Sequence, residues 1–206
     1  MSNEGFFIVF EGGEGAGKST LTEAIGKRLK NSGRSFVVIR EPGGTPVAET
    51  LREILKTPLT PWGEALAFLT ARSDLIEKVI RPALKRGDVV LCDRFSPSTF
   101  AYQGYGRNLD LKLLKKIDSV IREDLEPDLI IFCDVPVSDG LARKAGENDP
   151  IVTGSEKEEF HRRVYSGYQD LLSNSSEKKW KRIDATKPPA EVVEEVWSIV
   201  EPMLRL

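Results

Sequence analysis

The residues best suited to chemistry lie in a glycine-rich segment near the start of the chain. The segment reads Gly12-Gly13-Glu14-Gly15-Ala16-Gly17-Lys18-Ser19 and matches the pattern G-x-x-x-x-G-K-[ST] at every fixed position. Its glycines let the backbone point N–H groups inward, so that they surround a polyphosphate. Lys18 would then reach the β- and γ-phosphates, and the Ser19 hydroxyl would bind Mg²⁺. The pattern therefore predicts a nucleotide-binding P-loop.

The sequence on either side of this segment provides the elements that a P-loop needs. The apolar run at residues 6–10 predicts a strand that is buried on both faces. Beyond the glycines, Leu21, Ile25 and Leu29 recur at helical spacing, so a helix should begin near Gly17. The positive end of that helix would face the phosphates. A glycine-rich turn that binds nothing is the alternative, and this context disfavours it.

Five apolar runs predict the strands of the fold. They span residues 5–11, 35–40, 88–93, 128–134 and 179–183. Helical patterns separate them, which is typical of a parallel sheet that helices cover on both faces. We therefore expect one α/β domain over residues 1–206, with a five-stranded parallel sheet flanked by helices in three layers.

One long helix is expected between the second and third strands. Thr60 would cap it, Pro61 would occupy its first position, and the helix would continue to about residue 85. Its apolar stripe is predicted to contain Leu66, Leu69, Ile76 and Ile80.

Charged residues end the second and third predicted strands, at the sheet edge where ligands bind. Arg40 could hold a second phosphate bidentately, although a surface salt bridge is an equal alternative for it alone. Asp93 is placed like the carboxylate that organises Mg²⁺, and Arg94 like a phosphate clamp. The polar and aromatic run at residues 96–104 would suit a base or a sugar.

Phe68 and Arg72 form a second candidate site for a base. They are four residues apart, so they share one face of the long helix. A stacking ring and a hydrogen-bonding guanidinium together could recognise a flat base with exposed carbonyl groups. A core position is the more common explanation for a phenylalanine at helical spacing, so both interpretations of Phe68 stay open.

The composition limits the classes of function. The 206 residues are 30% charged and 40% hydrophobic, as in an ordinary globular domain. A net charge of −2 gives no reason to expect nucleic acid or membrane as a partner. We also find no signal-like segment and no apolar run of membrane-spanning length, so we expect a cytoplasmic protein.

Neither the cysteines nor the histidine suggest a catalytic role. Cys92 and Cys133 each end an apolar run, so we expect buried strand thiols without a disulfide or a metal. His161 is the one histidine and has charged neighbours, which predicts a solvated surface residue.

Short motifs spread over nearly the whole chain are specific enough to indicate a family. They are Phe10-Glu11-Gly12, Arg40-Glu41-Pro42-Gly43-Gly44-Thr45, Phe68 with Arg72, Asp93-Arg94-Phe95, the run Ser98-Thr99-Phe100-Ala101-Tyr102-Gln103-Gly104, Pro127-Asp128-Leu129 and Ile183-Asp184-Ala185-Thr186. Together they resemble the thymidylate kinase family, whose members are P-loop enzymes that phosphorylate dTMP. The resemblance implies the nucleoside-monophosphate kinase fold with a short lid, usually in a homodimer.

The resemblance implies a role for each residue of a dTMP site. Phe68 would stack on thymine, Arg72 would donate a hydrogen bond to its O4, and Tyr102 would disfavour a 2′-hydroxyl. Arg40 and Arg94 would bind the phosphate, and Thr99 and Gln103 would contact the base. The expected substrate-binding residues are Glu14, Arg40, Pro42, Phe68, Arg72, Arg94, Ser98, Thr99, Tyr102 and Gln103.

The family also implies ATP and Mg²⁺ as cofactors. The expected ATP-binding residues are Gly12, Gly13, Glu14, Gly15, Ala16, Gly17, Lys18, Ser19 and Thr20, with Arg143, Ala185, Thr186 and Lys187 near adenine. Ser19 and Asp93 would serve the metal. Catalysis is assigned to Lys18, Arg94, Glu14, Arg143 and Lys144.

One feature of the P-loop predicts where a further catalytic cation must come from. One branch of the family has an arginine directly after the acidic P-loop residue, whereas this chain has Gly15, as in the bacterial branch. That branch supplies the arginine from a lid, expected here at approximately residues 143–156. The lid departs from the usual Asp-Arg pattern because it reads Asn148-Asp149-Pro150, which leaves Arg143 or Lys144, or else Arg162 or Arg163.

We interpret the chain as an ATP-dependent kinase that converts dTMP to dTDP. Two other classes are weighed against it. A GTPase switch would carry Asn-Lys-x-Asp and Asp-x-x-Gly, and neither string occurs. A kinase for another nucleotide or a sugar remains the alternative on the same fold.

Overall fold

A computed structural model describes residues 5–145, 156–175 and 179–204 of the chain. Its strands are β1 (Phe6–Glu11), β2 (Phe36–Arg40), β3 (Val89–Asp93), β4 (Leu129–Asp134) and β5 (Trp180–Asp184). They form one parallel sheet in the order β2-β3-β1-β4-β5. The five predicted strands and the fold class are therefore confirmed, with bounds that differ by one residue.

Helices cover both faces of this sheet. They are α1 (Lys18–Asn31), α2 (Pro46–Ile54), α3 (Pro61–Leu75), α4 (Arg81–Lys85), α5 (Ser96–Thr99), α6 (Leu111–Arg122), α7 (Val137–Lys144), α8 (Glu158–Ser173) and α9 (Pro189–Met203), with π-helical segments at Ile76–Ile80 and Phe100–Gly106. Alternate residues of β1 enter two cores: Phe7 and Val9 pack on one face, and Ile8 and Phe10 on the other. Burial on both faces explains why each central strand is an unbroken apolar run.

The register of the central strands collects polar residues at one edge. Phe10 pairs with Asp93 on one side of β3, and Arg40 pairs with Asp93 on the other. The strands are parallel, so Glu11, Arg40 and Asp93 all end at the same edge, next to the start of α1. This edge is where ligands bind in open α/β sheets.

The predicted long helix has the expected length, but one residue of its predicted apolar stripe is exposed. Thr60 caps α3 through its side chain, with Pro61 at the first position, and the π-helical segment and α4 continue it to Lys85. Leu69, Ile76 and Ile80 are buried, whereas Leu66 is 49% exposed. At 3.6 residues per turn, Leu66 lies about 60° from Leu69 around the axis, which turns it towards solvent.

The expectation for His161 is wrong. Its side chain is buried, and in the described residues its Nε2 has no hydrogen-bond partner. His161 belongs to the buried stripe of α8, with Val164, Tyr168 and Leu171 at helical spacing. The charged residues beside it, which suggested a surface position, occupy the other face.

The two cysteines are buried at the ends of strands, as the sequence predicts. Cys92 and Cys133 are buried thiols, each with a raised pKa because burial disfavours the thiolate. Among the helices of residues 5–145, 156–175 and 179–204, none is both long and apolar enough to cross a membrane.

Candidate active site

One cleft of about 520 Å³ opens at the carboxyl edge of the sheet. It extends from the P-loop to α3 and to the π-helical segment after α5. Its lining consists of Glu14, Gly15, Ala16, Gly17, Lys18, Ser19, Thr20, Arg40, Glu41, Pro42, Arg52, Phe68, Arg72, Asp93, Arg94, Ser98, Thr99, Tyr102, Gln103, Arg143 and Lys144. The structure therefore brings most of the predicted site residues to one cavity.

The P-loop adopts the geometry that its sequence predicts. The left-handed backbone of Gly17 (φ 77°) precedes the first residue of α1, Lys18, without a side-chain cap. The N–H groups of the first turn are therefore available to an anion. Lys18 is buried, and its Nζ donates to the Gly13 carbonyl at 2.7 Å. Burial, with a contribution from nearby Arg94, lowers the pKa of Lys18.

The two predicted metal ligands touch each other across the sheet edge. Ser19 Oγ donates to Asp93 Oδ2 at 2.5 Å, although the two residues are 74 positions apart. A hydroxyl and a carboxylate are oxygen ligands of the type that Mg²⁺ prefers. No cluster of three His, Cys, Asp or Glu side chains that could hold a metal occurs in the residues that the structure describes. This pair would therefore need oxygen atoms from water or a phosphate to complete an octahedral site.

Gly15 is fixed by a close approach between the P-loop and α7. Its φ of +65° favours glycine, and a Cβ at this position would overlap the carbonyl oxygen of Gly140. A Cβ on Gly140 would in turn overlap the carbonyl oxygen of Glu14. The P-loop backbone thus packs directly on α7, and this packing leaves no space for an arginine at position 15.

Glu14 is the centre of a cluster of charges between the P-loop and α7. Its carboxylate accepts hydrogen bonds from Arg94 Nη2 at 2.9 Å, from Tyr102 Oη at 2.8 Å and from Lys144 Nζ. Burial alone would raise the pKa of Glu14, but the positive charges of Arg94, Lys18 and Lys144 outweigh it and hold this pKa below its usual range. Glu14 is therefore ionised, and it holds Arg94 and Lys144 at one place.

Arg94 is held over the middle of the cleft. Its backbone has a φ of 74°, its Nη1 donates to the Gly12 carbonyl at 3.0 Å, and its guanidinium lies 4.9 Å from the centre of the Tyr102 ring. A left-handed conformation at an arginine is uncommon and needs support from its surroundings. That support comes from the adjacent buried carboxylate of Glu11, which accepts from the Phe95 backbone N–H at 2.8 Å.

The predicted base-binding residues lie together at the far end of the cleft. Phe68 is half-buried and packs on Leu55 and Ala67 on one side while it lines the cleft on the other. Thr99 Oγ1 accepts from Arg72 Nη2 at 2.8 Å, and Gln103 Nε2 donates to Glu64 at 2.8 Å. These contacts fix the direction of both polar side chains.

Arg72 is more deeply embedded than its sequence pattern indicates. Its side chain is 1% exposed, and it forms ion pairs with Glu41 at 2.6 Å and with Asp118 at 2.8 Å. Burial raises the pKa of Glu41 to about 7, although the charge of Arg72 acts in the opposite direction. Arg72 is thus a structural member of the core as well as part of the cleft wall.

Two residues of the expected substrate site, Arg40 and Pro42, lie at the end of β2, and each contacts a side chain of α2. Arg40 is exposed and lies 3.7 Å from Glu49. Pro42 lines the cleft, and its carbonyl accepts from Arg52 Nη1 at 3.1 Å. Arg52 was not selected from the sequence, because it stands on an amphipathic helix among other charged residues without a motif.

The residues expected near adenine differ in whether they reach the cleft. Arg143 lines the cleft and donates to the Ala185 carbonyl at 2.9 Å, which places Ala185 at the rim. Thr186 and Lys187 do not line the cleft and instead contact Asp184 and Glu195. Lid residues 146–155 lie outside the described part of the chain.

The two other lid candidates point elsewhere. Arg162 pairs with Glu158 on the exposed face of α8, and Arg163 donates to the Gly106 carbonyl. Neither lines the cleft. Of the four candidates, Lys144 and Arg143 line the cleft.

Comparisons with known proteins agree on one family. A profile of the thymidylate kinase family matches residues 10–196. The chain is 45% identical to the thymidylate kinase of Synechococcus sp. (strain JA-2-3B'a(2-13)) over 97% of its length and 96% of the relative. The corresponding enzyme of Thermomicrobium roseum is also 45% identical, with the same coverage, and that of Deinococcus radiodurans is 40% identical over 96% of this chain and 97% of the relative. The chain therefore belongs to the thymidylate kinase family.

Proposed function

We propose that this chain transfers the terminal phosphoryl group of ATP to dTMP in the presence of Mg²⁺, forming dTDP and ADP. The observation that carries the proposal is one cleft whose lining includes the P-loop and, away from it, Phe68 with Arg72. Arg94 lies between these two ends and contacts the P-loop carbonyl of Gly12. Two nucleotides bound at the two ends would meet at Arg94, which is the positioning that phosphoryl transfer requires.

The residues of the P-loop fit ATP and Mg²⁺. The uncapped start of α1 and the buried ammonium of Lys18 offer donors to phosphates, and Ser19 with Asp93 would hold the metal. Mg²⁺, when bound, neutralises charge on the donor phosphates. Arg143, Ala185, Thr186 and Lys187 are proposed to border the adenine.

The catalytic work of the chain is positioning and charge stabilisation. The phosphate of dTMP is already ionised, so that no strong general base is needed. Lys18, Arg94 and Lys144 would stabilise the transferring group from different sides, with Glu14 holding the last two in place. Because Gly15 supplies no arginine, we assign the additional cation to Lys144 and expect Arg143 at the adenine rim.

The acceptor site is proposed to use the other half of the cleft. Arg40 and Arg94 would bind the dTMP phosphate, with Pro42 in the wall beside it. Tyr102 and Ser98 border the place for the sugar. Glu14 and Arg94 hold the ring of Tyr102, which supports its proposed role of excluding a 2′-hydroxyl.

A coupled assay of ADP release tests this function directly. With ATP and Mg²⁺, dTMP should give the highest kcat/KM in a panel of nucleoside monophosphates and phosphorylated sugars. ADP release at the same rate without any acceptor would indicate a hydrolytic switch, and preference for another acceptor would indicate the alternative kinase. Either result would contradict the proposal.

Replacement of Phe68 tests the base pocket. Phe68→Ala should raise the KM for dTMP by about 5- to 150-fold, because stacking on a base is worth about 1–3 kcal/mol. The KM for ATP should not change, since Phe68 lies away from the P-loop. Thr70→Ala, at an exposed position on the same helix, is the control and should leave both constants unchanged. A lowered melting temperature with a normal dTMP KM would show that Phe68 is only a core residue.

We also propose that the chain forms a homodimer through α3 and α6. These two helices pack on each other, and their outer faces carry the exposed apolar side chains Leu66, Leu113 and Val120. Exposed apolar side chains grouped on adjacent helices favour burial against a second copy. Analytical ultracentrifugation measures this state, and a monomer at micromolar concentration would contradict it.

A further inference from the structure

Asp118 is a buried carboxylate on α6 that belongs to none of the motifs described above. Its side chain is fully buried. It accepts hydrogen bonds from Arg72 Nη1 at 2.8 Å, from Ser96 Oγ at 2.8 Å and from Arg122 Nε at 2.6 Å. These partners compensate a buried charge that would otherwise be unfavourable, and one of them, Arg72, lines the cleft.

The donors of Arg72 can be accounted for individually. A guanidinium has five N–H groups in one plane. The Nε–H and one Nη2–H donate to Glu41, the second Nη2–H donates to Thr99, and one Nη1–H donates to Asp118. Among the described residues, the fifth N–H, on Nη1, has no protein acceptor, so it is the donor that remains for a ligand in the cleft.

Asp118 is the acceptor that holds the nitrogen carrying that fifth donor. Both hydrogens of Nη1 lie in the rigid guanidinium plane. Glu41 holds this plane at Nε and Nη2, and Asp118 holds it at Nη1, so the direction of the other Nη1 hydrogen is fixed as well. The oxygen that accepts from Arg72, Oδ1, also accepts from Ser96 Oγ at 2.8 Å, whereas Arg122 binds the other oxygen, so the oxygen that faces Arg72 is held independently of Arg122. Asp118 thus provides a fixed acceptor behind Arg72.

We propose that Asp118 is a positioning residue for base specificity, which acts by holding Arg72 Nη1 so that one fixed N–H faces the base. This inference rests on the proposed function, in which Arg72 faces the pyrimidine. A carbonyl at position 4 of the base, as in thymine, accepts that hydrogen. An amino group at the same position, as in cytosine, is also a donor, and the buried Arg72 cannot rotate to avoid it.

The test compares dTMP with dCMP as acceptors for Asp118→Ala, Asp118→Asn and Arg122→Met. Asp118→Ala should raise the dTMP KM about tenfold and lower the dTMP to dCMP ratio of kcat/KM about tenfold. The kcat for dTMP and the KM for ATP should stay within about twofold, because the P-loop is untouched. Asp118→Asn keeps an acceptor oxygen for Nη1 without the negative charge, so it should lower the dTMP to dCMP ratio about threefold. Arg122→Met removes the other ion pair of the same carboxylate, and it should lower the melting temperature without changing the ratio.

The outcomes separate this role from a purely structural one and from the proposed function. An unchanged dTMP to dCMP ratio in either Asp118 variant that is folded, judged by melting temperature, overturns the role of Asp118. The role of Asp118 is also overturned if Arg122→Met lowers the dTMP to dCMP ratio as much as Asp118→Ala does, because general loosening of α6 would then explain the effect. The unaltered protein tests the proposed function separately: normal dTMP phosphorylation with an unchanged ratio in the variants contradicts the role of Asp118 alone.

Discussion

Lys18→Ala is expected to lower kcat for dTMP phosphorylation by about 10²–10³-fold while the protein remains folded. Loss of one charge-assisted contact in the transition state costs about 3–4 kcal/mol. The buried ammonium of Lys18 donates to a backbone carbonyl of the P-loop and faces the cleft, so its removal takes charge from the phosphate site. Steady-state kinetics together with a melting curve measure both parts of this expectation.

The matched control is another lysine on the same helix. Lys27 is exposed on α1, and Lys27→Ala removes the same charge from the chain without reaching the cleft. It should leave kcat within about twofold, as is usual for surface substitutions. Turnover close to that of the control by a folded Lys18→Ala protein would contradict the assignment of the P-loop.

The strands and the P-loop could be predicted because their signals are local. The run at residues 6–10 is apolar at every position, and the glycine pattern that follows occupies consecutive residues. Such features need no knowledge of distant parts of the chain. His161 and Leu66 were placed incorrectly for a related reason: the neighbours along the sequence suggested one environment, and the angle around the helix axis determined another.

The carboxylates behind the site could not be predicted in the same way. Glu41 and Asp118 contact Arg72 from 31 and 46 residues away, and Glu11 contacts Ser98 from 87 residues away. Only the fold brings these groups together. One signal was available for Asp118: it stands four residues after Leu114 on the apolar face of α6, where a charged residue needs a buried partner.

Because Arg72 is buried together with Glu41 and Asp118, its substitution should also lower the stability of the fold. From the sequence, Arg72 is a donor to the base, and its removal should mainly weaken dTMP binding. In the structure, Arg72→Ala leaves Glu41 and Asp118 buried without their cation. Breaking a buried ion pair from one side costs about 3–5 kcal/mol. For a chain of this length, that corresponds to a melting temperature lower by roughly 10 °C.

The control for this loss is an arginine in an exposed ion pair. Arg162 pairs with Glu158 at 2.6 Å, but the two side chains are 70% and 51% exposed. Exposed pairs contribute at most about 1 kcal/mol, so Arg162→Ala should shift the melting temperature by only a few degrees. Equal shifts in the two variants would contradict the structural role of Arg72.

The pH dependence of the Arg72→Ala deficit distinguishes lost charge compensation from lost packing. In the intact protein, burial raises the pKa of Glu41 from 4.5 to about 7, and the charge of Arg72 limits this rise. Without Arg72 the folded-state pKa of Glu41 should rise further, while its unfolded-state pKa stays the same.

A group whose pKa is raised on folding stabilises the fold below its unfolded pKa, and this stability is lost as the pH rises through the folded pKa. The variant should therefore lose additional stability above about pH 7, where Glu41 of the intact protein gives up its proton and Glu41 of the variant still holds it. Urea denaturation at pH 6 and pH 9 measures the difference. A deficit of equal size at both values would mean that the cavity left by the side chain, and not the unpaired carboxylates, accounts for the loss.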